Sequence, residues 1–240
     1  MMNVVDIEKE IKKYQNDANK KNWHWNNKKI DINIKGKETS FSVNGFGICE
    51  NDNFSKTSYR YYLEFEIINP KGNKGSIASI MMNPSDQTNP VKQAIDSTVT
   101  NVIRMAYVSG YLKVIILNSF PYINGNGKAS LKEHDENHDY KEKEVNTNFR
   151  VDFLENQYNQ DILLAWGGDI KNTKQDYGEI LKKYEDKIYV YNITKSNFPM
   201  HPSPYNQKEV DKIINAQKQW KKVQLITEGS RRTKIAVKYK

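Results

Sequence analysis

Four polar clusters in this chain carry side chains suited to binding or catalysis, and each follows an apolar run. Asn83, Pro84, Ser85 and Asp86 come after residues 77–82, and Asn118, Ser119, Phe120, Pro121 and Tyr122 come after 112–117. Trp166, Gly167, Gly168 and Asp169 come after 161–165. His201, Pro202, Ser203, Pro204 and Tyr205 come a short loop after 187–191. Any one cluster reads as ordinary turn chemistry, because Asn, Pro, Gly and Ser fill loops everywhere. The set reads differently, since two carboxamides, a Trp-Gly pair and an imidazole recur at the same end of successive runs. A carboxamide donates and accepts hydrogen bonds in one plane but takes up no proton near neutral pH. Asn83 therefore suits orientation of water and not strong base catalysis, with Asp86 as the nearby carboxylate alternative.

The runs themselves have the length and composition of buried strands. Between the first two, Ile95, Val99, Val102, Ile103 and Ala106 recur at helical spacing. Asn89 and Pro90 suit the N-cap and first position of that helix, and Gly110 its stop. Val145, Phe149, Phe153 and Leu154, the segment 177–184, and Val210, Ile213, Ile214 and Gln217 suggest further helices. Strands alternating with helices predict an α/β fold of three layers, with a mostly parallel central sheet. Ligands of such sheets bind beyond the carboxyl ends of the strands, so the four clusters should converge on one pocket.

Ahead of this core, Val4, Ile7, Ile11, Tyr14 and Ala18 mark one amphipathic helix, and 29–35, 39–43 and 60–68 are strand candidates. In the last of these, Tyr61, Leu63, Phe65 and Ile67 alternate with Tyr62, Glu64 and Glu66, as in a strand with one wet face. The expected division is 1–74 as an N-terminal helix with a β-rich elaboration, 75–217 as the α/β core, and 218–240 as a basic extension. In that extension 223–227 and 233–239 would pair as a C-terminal β-hairpin.

The 240 residues include 37 Lys and Arg against 29 Asp and Glu, a formal charge of +8. Mean hydropathy is −0.83, yet 15 Tyr, 8 Phe and 4 Trp supply the bulk for a sizeable core. No apolar run approaches the roughly 20 residues of a membrane span, and the first residues lack an apolar signal-type stretch. A cytoplasmic, non-membrane protein is expected. The single cysteine, Cys49, excludes internal disulfides and multi-cysteine metal sites, and it has no obvious activating neighbour. His134 and His138 with Glu133, Asp135 and Asp139 have a spacing that suits a metal on a helix. That stretch is polar throughout and reads more simply as a solvated loop, so no metal and no cofactor is expected. Trp23, His24 and Trp25 read as core packing ahead of a ligand platform. Residues 218–240 carry eight Lys or Arg and one acidic residue. Arg231 and Arg232 at the hairpin tip would suit phosphates, and exposed lysines on an edge strand would equally discourage strand pairing. The charge raises the prior for nucleic acid or nucleotide, although a Lys- and Asn-rich composition also follows from an AT-rich genome.

From about residue 75 to 217 the order MMNPS, ILNSFPY, LLAWGGD and HPSPY resembles the bacterial and phage family known as domain of unknown function 1643. The same order is similar, more distantly, to the uracil-DNA glycosylase superfamily. That pattern has a Gly-x-(Asp or Asn)-Pro strand end, a strand ending in Leu-Asn, a Trp-Gly after a strand, and His-Pro-Ser-Pro. The resemblance implies a uracil-DNA-glycosylase-like version of the three-layer fold. It also implies catalytic roles for Asn83, positioning water, and His201, assisting the leaving base. Asn118 would read the base and Tyr205 would wedge into a DNA stack. Met81 stands where the pattern has glycine, and no aromatic directly follows Asn83-Pro84. Pro84, Ser85, Phe120, Tyr122, Trp166 and Ser203 complete the expected ligand contacts, although Trp166 reads foremost as strand-end packing. Cleavage of an N-glycosidic bond puts negative charge on the departing base, and a ring N–H of His201 would stabilise it in a dry pocket. Asn118 suits a Watson–Crick edge. The expected function is binding of a nucleobase-containing ligand, DNA or nucleotide, with hydrolysis of its N-glycosidic bond. Two other classes stay open: a non-catalytic nucleotide or DNA binder, and a phage-encoded inhibitor of host defence acting through a protein or ligand partner.

Overall fold

The computed structural model describes residues 4–16, 24–50, 59–85, 88, 94–123, 140–157, 160–168, 181–216, 220–228 and 234–239. The four apolar runs are strands β4 (Lys74–Met81), β5 (Tyr111–Asn118), β6 (Asp161–Leu164) and β7 (Ile188–Val190). They lie side by side in the order β5-β4-β6-β7, and all three of their pairings are parallel. Ile77, Ile80, Val114, Leu117, Ile162 and Leu164 are fully buried. Burial on both faces is what near-continuous apolar runs require.

The sheet as a whole corrects the expectation of a mostly parallel, uracil-DNA-glycosylase-like sandwich. Strands β1 (His24–Ile34), β2 (Lys37–Glu50) and β3 (Tyr59–Ile68) extend it on one side, and β8 (Lys221–Glu228) and β9 (Lys234–Tyr239) on the other. The result is one nine-stranded sheet, β1-β2-β3-β5-β4-β6-β7-β8-β9. Five of its eight neighbour pairings are antiparallel. The physical reason lies in the connections, since antiparallel neighbours need only a tight turn. Lys35 and Gly36 join β1 to β2 with φ of 53° and 83°, the left-handed pair that a two-residue hairpin demands. β3 then pairs directly with β5, Leu63 opposite Ile116, so the N-terminal strands continue the core sheet.

Helices cover both faces. On one, α2 (Ser97–Ser109) contributes Val99, Val102, Ile103 and Ala106 to a core shared with β1–β6. A later helix, Gln207–Ala216, adds Val210, Ile213 and Ile214 to that core. On the other face, α1 (Val4–Asn16) and α3 (Tyr140–Asp152) bring Ile7, Ile11 and Phe149 against Tyr62. That packing covers two of the three positions of the wet face expected for β3: Tyr62 is fully buried and Glu64 is 7% exposed, while Glu66 is exposed as expected. The Glu64 carboxylate is compensated by Lys113 Nζ at 2.6 Å and by the Tyr62 hydroxyl at 2.6 Å. Truncating Phe149 at this junction to alanine is worth about 3–5 kcal/mol.

The start of α2 also differs from expectation. Its N-cap is Asp96, with φ −63° and ψ 160°, whose side chain accepts from Val99 N. Asn89 and Pro90 lie outside the described residues, as do Ala18, Gln217, His134 and His138, and the first half of the helix expected at 177–184. Gly110 ends α2 in the left-handed conformation, φ 84°. No helix among the described residues is long and apolar enough to cross a membrane.

Candidate functional site

Three parallel strands deliver their carboxyl ends to one edge, and backbone hydrogen bonds extend the ladder past them. Ser119 N donates to Met81 O and Phe120 N to Met82 O, each at 2.8 Å, and Ala165 N donates to Ile80 O at 2.8 Å. These bonds fix the segments carrying Asn83, Asn118 and Trp166 relative to one another. The carbonyl of Asn118 is further tied to α3, accepting from Asn146 Nδ2 at 3.1 Å and from Arg150 Nη1.

His201 reaches this edge by a separate device. After β7 the chain makes a small bridged loop, Ile193 opposite Pro199, with Met200 N donating to Asn192 O at 3.0 Å. The returning segment passes against Gly167, whose N–H donates to Pro199 O at 2.9 Å. Gly167 has φ +88°, and a Cβ there would stand 2.6 Å from His201 Cβ. Glycine is needed both for the backbone and for the close approach. The His201 carbonyl is then held by the Tyr191 hydroxyl and by Asn206 Nδ2, both at 2.7 Å.

The result is a cavity of about 550 Å³, a volume ordinary for a small-molecule site. Of the residues singled out in the sequence, Asn83, Ser85, Asn118, Trp166, His201, Ser203 and Tyr205 line it. The convergence expected from the strand ends is therefore present, on a sheet of different make-up. Pro84 is buried and does not line the cavity. Phe120 and Tyr122 do not line it either; they are 2% and 1% exposed and pack in the core under α1 and α3, Tyr122 with its ring 5.4 Å from that of Tyr59. Asp86, Asp169, Arg231 and Arg232 lie outside the described residues.

The polar atoms of the cavity are notable for what they do not bond. Asn118 is 1% exposed, and neither its Oδ1 nor its Nδ2 has a partner among the described residues. The same holds for Trp166 Nε1 and for Arg60 Nε. A buried polar group without a protein partner calls for another one, such as a water, an ion or a ligand. Burial holds the His201 imidazole below its ordinary pKa, partly opposed by the Asp96 carboxylate, so the ring is neutral at pH 7. A neutral ring offers one donor and one acceptor.

The two charged lining residues escaped the sequence reading, as did Ser97 and Thr98. Arg60, at the start of β3, is 1% exposed and lies here because β3 runs antiparallel to β5, Arg60 N donating to Pro121 O at 2.8 Å. Asp96 accepts from Val99 N at 2.8 Å and from Thr88 Oγ1 at 2.7 Å. An aspartate three residues before the first apolar helix position was the available signal for its place as N-cap. Elsewhere, Trp25 packs on Phe65 with ring centroids 5.3 Å apart, as core, while Trp23 and the His24 side chain are outside the described residues. Burial pushes the Cys49 thiol up to about 12, against the opposing pull of Arg60, which leaves it protonated and unreactive. No group of three potential ligands could hold a metal among the described residues.

A mixed sheet covered by helices on both faces, with a cavity at the carboxyl edge of its parallel strands, makes this an α-and-β protein whose candidate site is that cavity. Residues 60–203 match the family described as Protein of unknown function (DUF1643), and the chain belongs to that family. The matched span opens at Arg60 and closes at Ser203, so it contains every described lining residue except Pro204 and Tyr205. No curated protein and no solved structure matches the chain.

Proposed function

We propose that the cavity binds a nucleobase-containing small molecule, a nucleoside or nucleotide. The observation that carries this is the Asn118 carboxamide, buried on a rigid strand end with both donor and acceptor unfilled. A planar donor–acceptor pair is matched by the hydrogen-bonding edge of a base, and a bidentate pair of this kind is worth about 1–3 kcal/mol of discrimination. Trp166 Nε1 and the neutral His201 ring supply further hydrogen bonds around the same volume. Tyr205, 99% exposed on the single turn Pro204–Asn206, offers a ring at the rim for stacking. The reading rests on these groups and not on a glycosylase-like fold.

Two features favour a small ligand over DNA and binding over hydrolysis. None of the described lysines of the β8–β9 hairpin lines the cavity, and Arg60 is the one Lys or Arg that does among the described residues. A polymer site would present a basic track along a backbone. The only carboxylate lining the cavity among the described residues is Asp96, and both its oxygens are already hydrogen-bonded. Asn83 cannot act as a base, so no described carboxylate is placed to activate water.

Titration of nucleosides into isotopically labelled protein tests this. The Asn118 side-chain amide and Trp166 indole resonances should move first and saturate together. Shifts confined to other regions, or none with any nucleoside or nucleotide, would contradict the reading.

A further inference from the structure

We infer that the cavity holds an oxyanion subsite, formed by the Arg60 guanidinium and the first turn of α2, and that its nucleobase ligand is a phosphorylated one. The identity of the ligand rests on the reading above; the subsite rests on its own observations. Arg60 lines the cavity and is 1% exposed. Its Nη1 donates to Ser85 O at 3.2 Å and to Thr88 O at 3.5 Å, both neutral acceptors, and its Nε has no partner among the described residues. A buried guanidinium without a directly bonded anion is expensive to keep. Asp96 is the carboxylate it senses, but that group accepts from Val99 N and Thr88 Oγ1.

The second half of the subsite is the start of α2, a helix of 13 residues. Val99 N is taken by the Asp96 side chain and Thr100 N by the Asp96 carbonyl. The N–H groups of Ser97 and Thr98 have no acceptor among the described residues, and both residues line the cavity. Free first-turn N–H groups at the positive end of a helix are an anion site. Thr88 joins the two halves, its carbonyl on Arg60 and its hydroxyl on Asp96. Arg60 Nε and the N–H groups of Ser97 and Thr98 are thus the unfilled donors at this end of the cavity among the described residues, while both oxygens of the Asp96 carboxylate are already occupied and the Asn118 amide answers a base.

Calorimetric titration separates the possibilities, using nucleosides, their 5′-monophosphates and inorganic phosphate as probes. Wild type should bind a monophosphate at least tenfold more tightly than its nucleoside, and inorganic phosphate should compete. Arg60→Met should erase that preference. Ser97→Pro is the variant that keeps the fold. Proline is favoured at the first helical position, and Asp96, at ψ 160°, already has the extended backbone that a following proline needs. It removes one N–H and should weaken monophosphate several-fold more than it weakens the nucleoside. Inorganic phosphate binding to wild type and not to Ser97→Pro, with no nucleoside binding, would uphold the subsite and refute the base reading. Equal affinity for nucleoside and monophosphate with no competition by phosphate, or no binding of any phosphorylated probe, would overturn the subsite.

Discussion

At Asn118 a carboxamide is buried with neither hydrogen-bonding atom filled among the described residues, and a buried group left so destabilises the free protein by about 1–3 kcal/mol. Replacing it by leucine, which has the same branching and the same number of side-chain heavy atoms, removes that penalty, and the adjoining cavity can take its slightly greater bulk. Asn118→Leu should therefore be more stable than wild type to urea by about 1–3 kcal/mol in the absence of ligand; a loss of stability would mean that the amide is satisfied in solution. His201 gives a second residue-scale test. Its pKa is lowered by burial, so the unfolded chain binds the proton more readily than the folded one. Its contribution is complete above the ordinary value of 6.5 and is lost as pH falls toward the folded value, at no more than about 1.4 kcal/mol per pH unit. The acid-side fall in Tm should be shallower in His201→Asn, and superimposable profiles would remove the buried neutral ring. Asn118 and His201 were legible because each is a polar residue beyond an apolar run. Arg60 was not, because its inward position depends on the pairing of β3 with β5, and alternation along one strand does not specify its neighbour.

At the scale of elements, the site depends on two junctions. Gly167 lets the loop after β7 pass close enough to place His201, and Gly167→Ala combines a disfavoured φ with a contact at 2.6 Å. The expected cost is about 1–3 kcal/mol of stability together with weaker ligand binding, since relief of the contact must move His201. Wild-type affinity in a folded Gly167→Ala protein would show that His201 has no part in the site. The other junction is the start of α2. The sequence offered two N-cap signals in this region, Asn89-Pro90 and Asp96, and local propensity cannot rank two good caps. The Thr88–Asp96 hydrogen bond, a contact across eight residues, accompanies the second. Strand extents were legible within a few residues for β4 to β7, because apolar runs end where solvent or ligand begins.

For the whole molecule, four parallel strands could be read from the sequence and the antiparallel strands on either side of them could not be joined to the sheet. Tyr62 and Glu64 looked solvent-facing because alternation reports polarity, while Tyr62 packs against Phe149 of α3 and Phe153, and Glu64 is held by Lys113 and the Tyr62 hydroxyl. The net charge of +8 does not by itself locate a ligand: none of the described hairpin lysines lines the cavity. Ligand affinity should accordingly respond weakly to salt, with a slope of log K against log salt of about −1 or smaller in magnitude, as for a single phosphate contact. A slope several times steeper, or tight binding of short DNA, would point to a polymer site instead.

The claim that Asn118 reads a nucleobase inside the cavity is tested most directly by calorimetric titration of the AMP, GMP, CMP and UMP series into wild type and Asn118→Leu. At least one nucleotide should bind wild type at a single site, and the variant should lose roughly five- to 150-fold in affinity, the equivalent of about 1–3 kcal/mol. Silence of wild type toward all four, or equal binding by the variant, would contradict it.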